Sequence, residues 1–202
     1  MHYRIPRMKS EDRRELILDA ALSVFGDFGY VGTTTDEVAR AAGVSQPYVV
    51  RMFGTKQKLF LEALARAVDR LLSSVRAVIA DTDNPIDLHH RVGRAYVDLV
   101  ADRGLLLTMM HAFVLGSDPV VGRAARGCFL RVYALLREEA GFSAEEAHEF
   151  LAQGMLINTL VGLRMSDDFE SMPLARELLS TALPQKLEVV LTLGRQQRAE
   201  GE

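Results

Sequence analysis

The 202-residue chain has no tryptophan, one cysteine and six prolines. Each scarcity excludes something. The single thiol, Cys128, permits no intramolecular disulfide, so a reducing cytoplasm is the expected compartment. No apolar run approaches the ~20 residues of a membrane span. The longest, LLLTMMHAFVLG (105–116), has 12 residues and includes a histidine. The opening MHYRIPRMKSEDRRE lacks the apolar stretch of a signal peptide, so no membrane partner is expected. There is no phosphate-cradling glycine loop and no G-x-S-x-G elbow. AHEF (147–150) lacks the second histidine of a zinc helix, and the adjacent His89 and His90 would project about 100° apart on a helix. No enzyme activity, metal or cofactor is therefore expected. Sustained strand-like alternation, internal repeats and low-complexity tracts are missing as well.

What remains is the composition of an ordinary water-soluble domain or pair of domains, 49% hydrophobic and 25% charged. The net charge of −3 is uneven: residues 1–60 carry nine basic and seven acidic side chains (+2), and the remainder fifteen and twenty (−5). A mildly basic head on an acidic body points to an anionic partner for the head alone.

Helical periodicity runs through nearly the whole chain. Leu16, Ile17, Ala20, Ala21, Val24 and Phe25 form one apolar stripe that ends at Gly29. Thr34 followed by Glu37 is a capping-box pattern that opens a short helix, with Val38, Ala41 and Ala42 inward and Gly43 at its end. Ser45 then reads as an N-cap, with Pro47 in the first turn, where its missing N–H is not needed. Thr55 caps a long helix over 56–79, carrying Leu59, Phe60, Ala63, Leu64, Ala67, Leu71 and Leu72 on one side. Further helices are predicted over about 85–102, 104–115, 118–140, 143–165 and 173–197. The expected fold is all-α with about nine helices.

Two short helices, Thr35–Ala42 and Gln46–Phe53, joined across Gly43–Val44, make a helix-turn-helix pattern. Its second helix suits the major groove of double-stranded DNA, with Gln46 and Arg51 as donors and Tyr48 against backbone or a thymine methyl. Val44 and Phe53 would anchor the unit inward. Lys56, at the next helix start, is a candidate for a phosphate. Tyr48 and Lys56 are both expected to be exposed. The pattern alone also fits helical proteins that never meet DNA, such as a protein–protein adaptor.

The stretch LDAALSVFGDFGYVGTTTDEVARAAGVSQPYVVRMFGTKQKLF closely resembles the DNA-binding region of the TetR family of transcriptional regulators. The resemblance rests on Gly29–Tyr30, Thr33–Thr34, the run from Ala39 to Ser45, then Phe53, Lys56 and Leu59 in the family's order. It implies DNA contacts at Thr35, Ser45, Gln46, Pro47, Tyr48, Arg51 and Lys56. Pro47 stands where members commonly have glycine, Val50 and Met52 where they have aromatics, and Tyr48 two positions before the usual tyrosine. The preceding segment, with Arg4, Arg7, Lys9, Arg13 and Arg14, is either a basic arm reaching phosphates or a solvated terminus.

The resemblance further implies a DNA-binding head (1–55) and a ligand-binding and dimerisation body (56–202), the last two helices of each subunit pairing in a homodimer. Gly154 and Gly162 would let helices approach, and Leu178, Leu179, Leu183, Leu187, Val190 and Leu191 supply a stripe, one a monomer's core would need equally. The middle helices would enclose a pocket for a small-molecule effector, apolar with few charges. Its candidate lining is Tyr96, Met109, Met110, Phe113, Cys128, Phe129, Val132 and Asn158, each of which would serve a plain core as well. His111 is either a polar pocket group or a satisfied core histidine. A cytoplasmic repressor emerges, released from a palindromic operator when its ligand shifts the helix at 56–79.

Overall fold

A computed structural model describes residues 9–99, 102–184, 187, 188 and 190–192. Among them are nine α-helices and no strand: α1 (Ser10–Gly32), α2 (Thr35–Ala41), α3 (Gln46–Phe53), α4 (Lys56–Ala80), α5 (Leu88–Leu99), α6 (Arg103–Val114), α7 (Pro119–Ala134), α8 (Ala144–Gly162) and α9 (Pro173–Ala182). A π turn (Leu135–Glu139) extends α7, and Met165–Asp168 form a 3-10 turn after α8. Residues 187, 188 and 190–192 are helical again.

Helix starts follow local chemistry. The Thr34 hydroxyl accepts from the Glu37 N–H, and the Glu37 carboxylate reaches back to the Thr34 N–H at 2.6 Å, completing the capping box of α2. Ser143 and Glu146 do the same for α8, and Thr55 accepts from Lys58 at α4. At α5 the start is later than the periodicity suggests. Asn84 takes the Ile86 N–H in a local turn, and Asp87 accepts from the His90 N–H, so the helix opens at Leu88 rather than near Pro85.

The predicted 173–197 helix is interrupted. α9 ends at Ala182, because Pro184 has no N–H and pushes Leu183 out of helical geometry, to φ −130° and ψ 50°. Two apolar stripes also differ in membership from the expectation. Leu16 is 41% exposed and Leu18 takes its inward place, while on α2 Ala39 is buried and Ala41 is exposed.

The core gathers around α1, α4 and α6. Phe25 and Tyr30 of α1 both pack on Phe60 of α4, with ring centroids at 4.9 and 5.0 Å. α1 packs more extensively on α6 than on its neighbours α2 and α4. Two glycines make that approach possible: a Cβ on Gly26 would sit 2.7 Å from the Gly104 Cα, and one on Gly104 would sit 2.9 Å from the Leu22 carbonyl oxygen. Across this contact the buried Thr108 hydroxyl donates to the Leu22 carbonyl at 3.1 Å, and His111 Nε2 lies 3.2 Å from the Gly26 carbonyl. His111 is thus a satisfied packing histidine, its Nε2–H facing a carbonyl acceptor. Ion pairs frame the same junction: Arg70 bridges Asp19 of α1 and Asp102, the N-cap of α6, and Arg103 pairs with Asp27.

Candidate nucleic-acid interface and internal cavity

α3 is brief and two-faced. Val49 and Phe53 are buried against the head's core, with Val44 half-buried beside them, whereas Pro47, Val50 and Arg51 face outward. Gly43, at φ +64°, makes the tight turn that sets α3 against α2. Ser45 is the backbone N-cap of α3, yet its hydroxyl caps nothing. The two usual donors are spent: Pro47 has no N–H, and the Tyr48 N–H bonds to the Ser45 carbonyl at 2.9 Å. Ser45 is exposed beside Pro47.

Gln46 is half-buried and its amide donates to the Thr35 hydroxyl at 3.2 Å, tying the two helices together. The exposure expected of Tyr48 is not found. Its ring is half-buried between two guanidiniums, Arg51 at 4.9 Å and Arg13 at 5.6 Å from the ring centre. Arg13 and Arg14 belong to α1 rather than to an arm; Arg14 lies over Phe53 and pairs with Glu62. Arg4 and Arg7 lie outside the described residues.

Lys56 is likewise half-buried rather than exposed. Its ammonium donates to the carbonyls of Tyr30 and Thr33, at 2.9 and 3.0 Å, and sits 4.7 Å from the centre of the Tyr30 ring. The cause is the break at Gly29, φ +70°, which turns the end of α1 toward the start of α4 and presents carbonyls there. At most one of its three protons is left for a phosphate. Lys56→Ala is therefore expected to lower folding stability by about 1–3 kcal/mol, the range for a lost charge-assisted bond, besides any effect on DNA. Urea unfolding of wild type and variant measures it, and equal midpoints would make both carbonyl bonds incidental. Val50, which was not among the residues expected to touch DNA, is exposed on α3 between Pro47 and Arg51, both exposed as well.

The second feature is a cavity where α4 to α8 converge. It opens partly to solvent, and only about 30 Å³ within it admits a water. That is room for one or two waters. Tyr96, Met109, Phe113, Cys128, Phe129, Val132 and Asn158 all line it, as do Val68 and Leu71 of α4 and Phe150, Leu151, Gly154 and Met155 of α8. Met110 does not: it follows Met109 by one position, hence about 100° around α6. The α4 and α8 contributors were hidden from sequence reasoning, since a leucine or phenylalanine facing a cavity has the same periodicity as one facing solid core.

The Tyr96 hydroxyl donates to the Asn158 side-chain oxygen at 2.6 Å and lies 3.3 Å from the Gly154 carbonyl. A Cβ on Gly154 would sit 3.3 Å from the Tyr96 ring, tight enough that the ring would have to give by a few tenths of an ångström. Within the subunit, Gly154 lets α8 lie close to Tyr96 of α5. Burial pushes the Tyr96 phenol well above its ordinary range, against the smaller pull of the Asn158 bond, and burial also raises the Cys128 thiol. Phe113 and Phe129, both half-buried, meet edge to face at 5.6 Å on the cavity's more exposed side.

A helix-turn-helix head fused to a helical body with an internal cavity defines a DNA-binding regulator. Residues 17–63 match the model for "Bacterial regulatory proteins, tetR family". The chain is 34% identical over 157 residues to the HTH-type transcriptional activator FasR of Mycolicibacterium smegmatis, covering 74% of this chain and 70% of that protein. It is 33% identical over 116 residues to the HTH-type transcriptional regulator RutR of Escherichia coli K12, covering 54% of each. Among solved structures, a transcriptional regulator from Rhodococcus sp. Rha1 aligns with TM-score 0.59 and 24% identity, over 89% of this chain and 96% of that one. The multidrug binding protein EbrR complexed with malachite green aligns with TM-score 0.54 and 23% identity, over 92% and 97%. The chain belongs to the TetR family and is a DNA-binding transcriptional regulator; its homologues and fold are those of regulators, not of enzymes.

Proposed function

We propose that this regulator binds a palindromic operator as a homodimer and that a small, mostly apolar molecule entering the cavity releases it. The observation that carries the coupling is α6. It lines the cavity with Met109 and Phe113 and is locked to α1 of the head through Gly26–Gly104, Thr108 and His111. α4 offers a parallel route, lining the cavity with Val68 and Leu71 and gripping the head through Lys56. An effector that favours the opened cavity favours whatever head position accompanies it, to the extent of its differential affinity. The occupant reading is supported by the apolar lining and by its methionine and phenylalanine side chains, which adapt to irregular shapes. The multidrug binding protein EbrR has a related fold.

The dimer reading is supported by exposed apolar side chains near the end of the chain, Leu156 on α8, Leu163 at its C-cap, and Leu174 and Leu178 on α9. Thr35, Ser45, Gln46, Pro47, Tyr48, Val50, Arg51 and Lys56 then form the DNA surface of each subunit. Among the described residues no helix is long and apolar enough to cross a membrane, and a cytoplasmic regulator is the reading adopted. Repression is our primary proposal. Activation is the second, because the M. smegmatis relative is named an activator.

The test is selection from a random double-stranded DNA pool by the purified protein at two salt concentrations. A recovered palindrome with half-sites about one turn apart, or a multiple of it, is expected. Salt-sensitive recovery without any sequence preference would remove the operator reading, and nuclease-insensitive protein partners with no DNA affinity would replace it with an adaptor.

A further inference from the structure

Resting on the effector reading above, we infer that the effector is an uncharged molecule carrying a hydrogen-bond acceptor, a carbonyl or ether oxygen, that Asn158 Nδ2 recognises inside the cavity. Asn158 is 2% exposed and lines the cavity. Its side-chain oxygen is occupied by the Tyr96 hydroxyl at 2.6 Å. Among the described residues, nothing accepts from its nitrogen. Asn158 Nδ2 is open to the cavity, which admits a water, so a ligand acceptor takes the place of water there, whereas a hydrocarbon would leave the N–H unpaired.

The amide orientation follows from the phenol. The 2.6 Å separation suits an O–H···O bond and is short for N–H···O, which places the Asn158 oxygen, not its nitrogen, against the phenol. Reversing the amide would leave an oxygen facing the cavity and would select a donor instead.

The charge follows from the rest of the lining. No lysine, arginine, aspartate, glutamate or histidine contributes to it. Its two titratable members, Tyr96 and Cys128, are both kept protonated and neutral by burial. A carboxylate or ammonium would enter with no counter-charge and lose its hydration, which a low-dielectric pocket does not replace. The effector is thus neither a phosphate ester nor an amine salt.

The experiment uses the full chain and one skeleton in five versions: 2-ethylnaphthalene, 2-acetylnaphthalene, 1-(2-naphthyl)ethanol, 2-naphthoate and 1-(2-naphthyl)ethylammonium. Each competes with the neutral dye N-phenyl-1-naphthylamine, whose fluorescence rises in apolar sites. The ketone is expected to bind about tenfold more tightly than the hydrocarbon, the size of one recovered hydrogen bond, and neither ion is expected to displace the dye. In Asn158→Leu that tenfold ratio should fall to about one with dye binding kept. Should this variant not fold, the carbonyl stretch of bound 2-acetylnaphthalene in the wild type, shifted to lower frequency relative to hydrocarbon solvent, reads the same bond. A ketone no better than the hydrocarbon, an alcohol better than the ketone, or displacement by either ion would overturn the inference. If the dye and every probe fail to bind the folded wild type, the effector cavity itself is refuted, and this inference with it.

Discussion

Gly26→Val is expected to lower the thermal midpoint by roughly 6–12 °C and to blunt any response of the head to the cavity. The position tolerates no side chain, since even a Cβ would meet the Gly104 Cα at 2.7 Å. The obstacle is backbone on a second helix, so no rotamer change relieves it, and α1 and α6 have to separate. Overpacking of this kind costs about 3 kcal/mol at the upper end of its usual range, and a domain of this size loses about 2–4 °C per kcal/mol. Valine's gain in helix propensity over glycine, a few tenths of a kcal/mol and smaller than alanine's, does not offset this. Separation also lengthens the bonds from Thr108 to Leu22 and from His111 to Gly26. Circular dichroism melting measures the first effect. Operator affinity with and without an effector measures the second. A midpoint within a degree or two of wild type would mean that the two helices slide freely and that the head is positioned by something else.

Arg51→Ala is expected to weaken operator binding about 10- to 100-fold while leaving the melt unchanged. Arg51 is exposed on α3, and the contact described for it is with the Tyr48 ring. Little folding energy is therefore at stake, unlike at Lys56. A guanidinium reaching a guanine edge discriminates bases by about 1–3 kcal/mol, and one reaching a phosphate weakens all sequences alike. Titrations on the selected operator and on one substituted at each half-site position separate these cases. Loss of preference at a single position assigns a base contact; uniform weakening, with the salt slope reduced by about one, assigns a phosphate. Wild-type affinity in the variant would remove α3 as the reading helix.

The sequence revealed elements better than their contacts. Thr34–Glu37, Gly43 and Pro47 each act through backbone hydrogen bonding or a fixed torsion within a few residues, so α2 and α3 could be placed closely from local order alone. Pro184 was just as visible, but the strong leucine pattern on either side of it suggested continuity where the ring forbids it. Lys56 was misjudged for a different reason. Its partners, the carbonyls of Tyr30 and Thr33, are brought to it by a kink at Gly29 more than twenty residues away. The cavity lining was legible where residue type is unusual, as with Asn158 or the Met109–Phe113 stretch. It was illegible where Leu71 or Leu151 differs from ordinary core only by what lies opposite.

The nearly filled cavity has a consequence for dose. Under the effector reading proposed above, space for only one or two waters means that a form open to an effector is reached by displacing side chains such as Phe113 and Phe129. Apparent affinity is the intrinsic affinity scaled by the population of that open form. The packing of two phenylalanines would then act as a threshold setting, holding the regulator silent to traces of its signal until the concentration is worth a change in transcription.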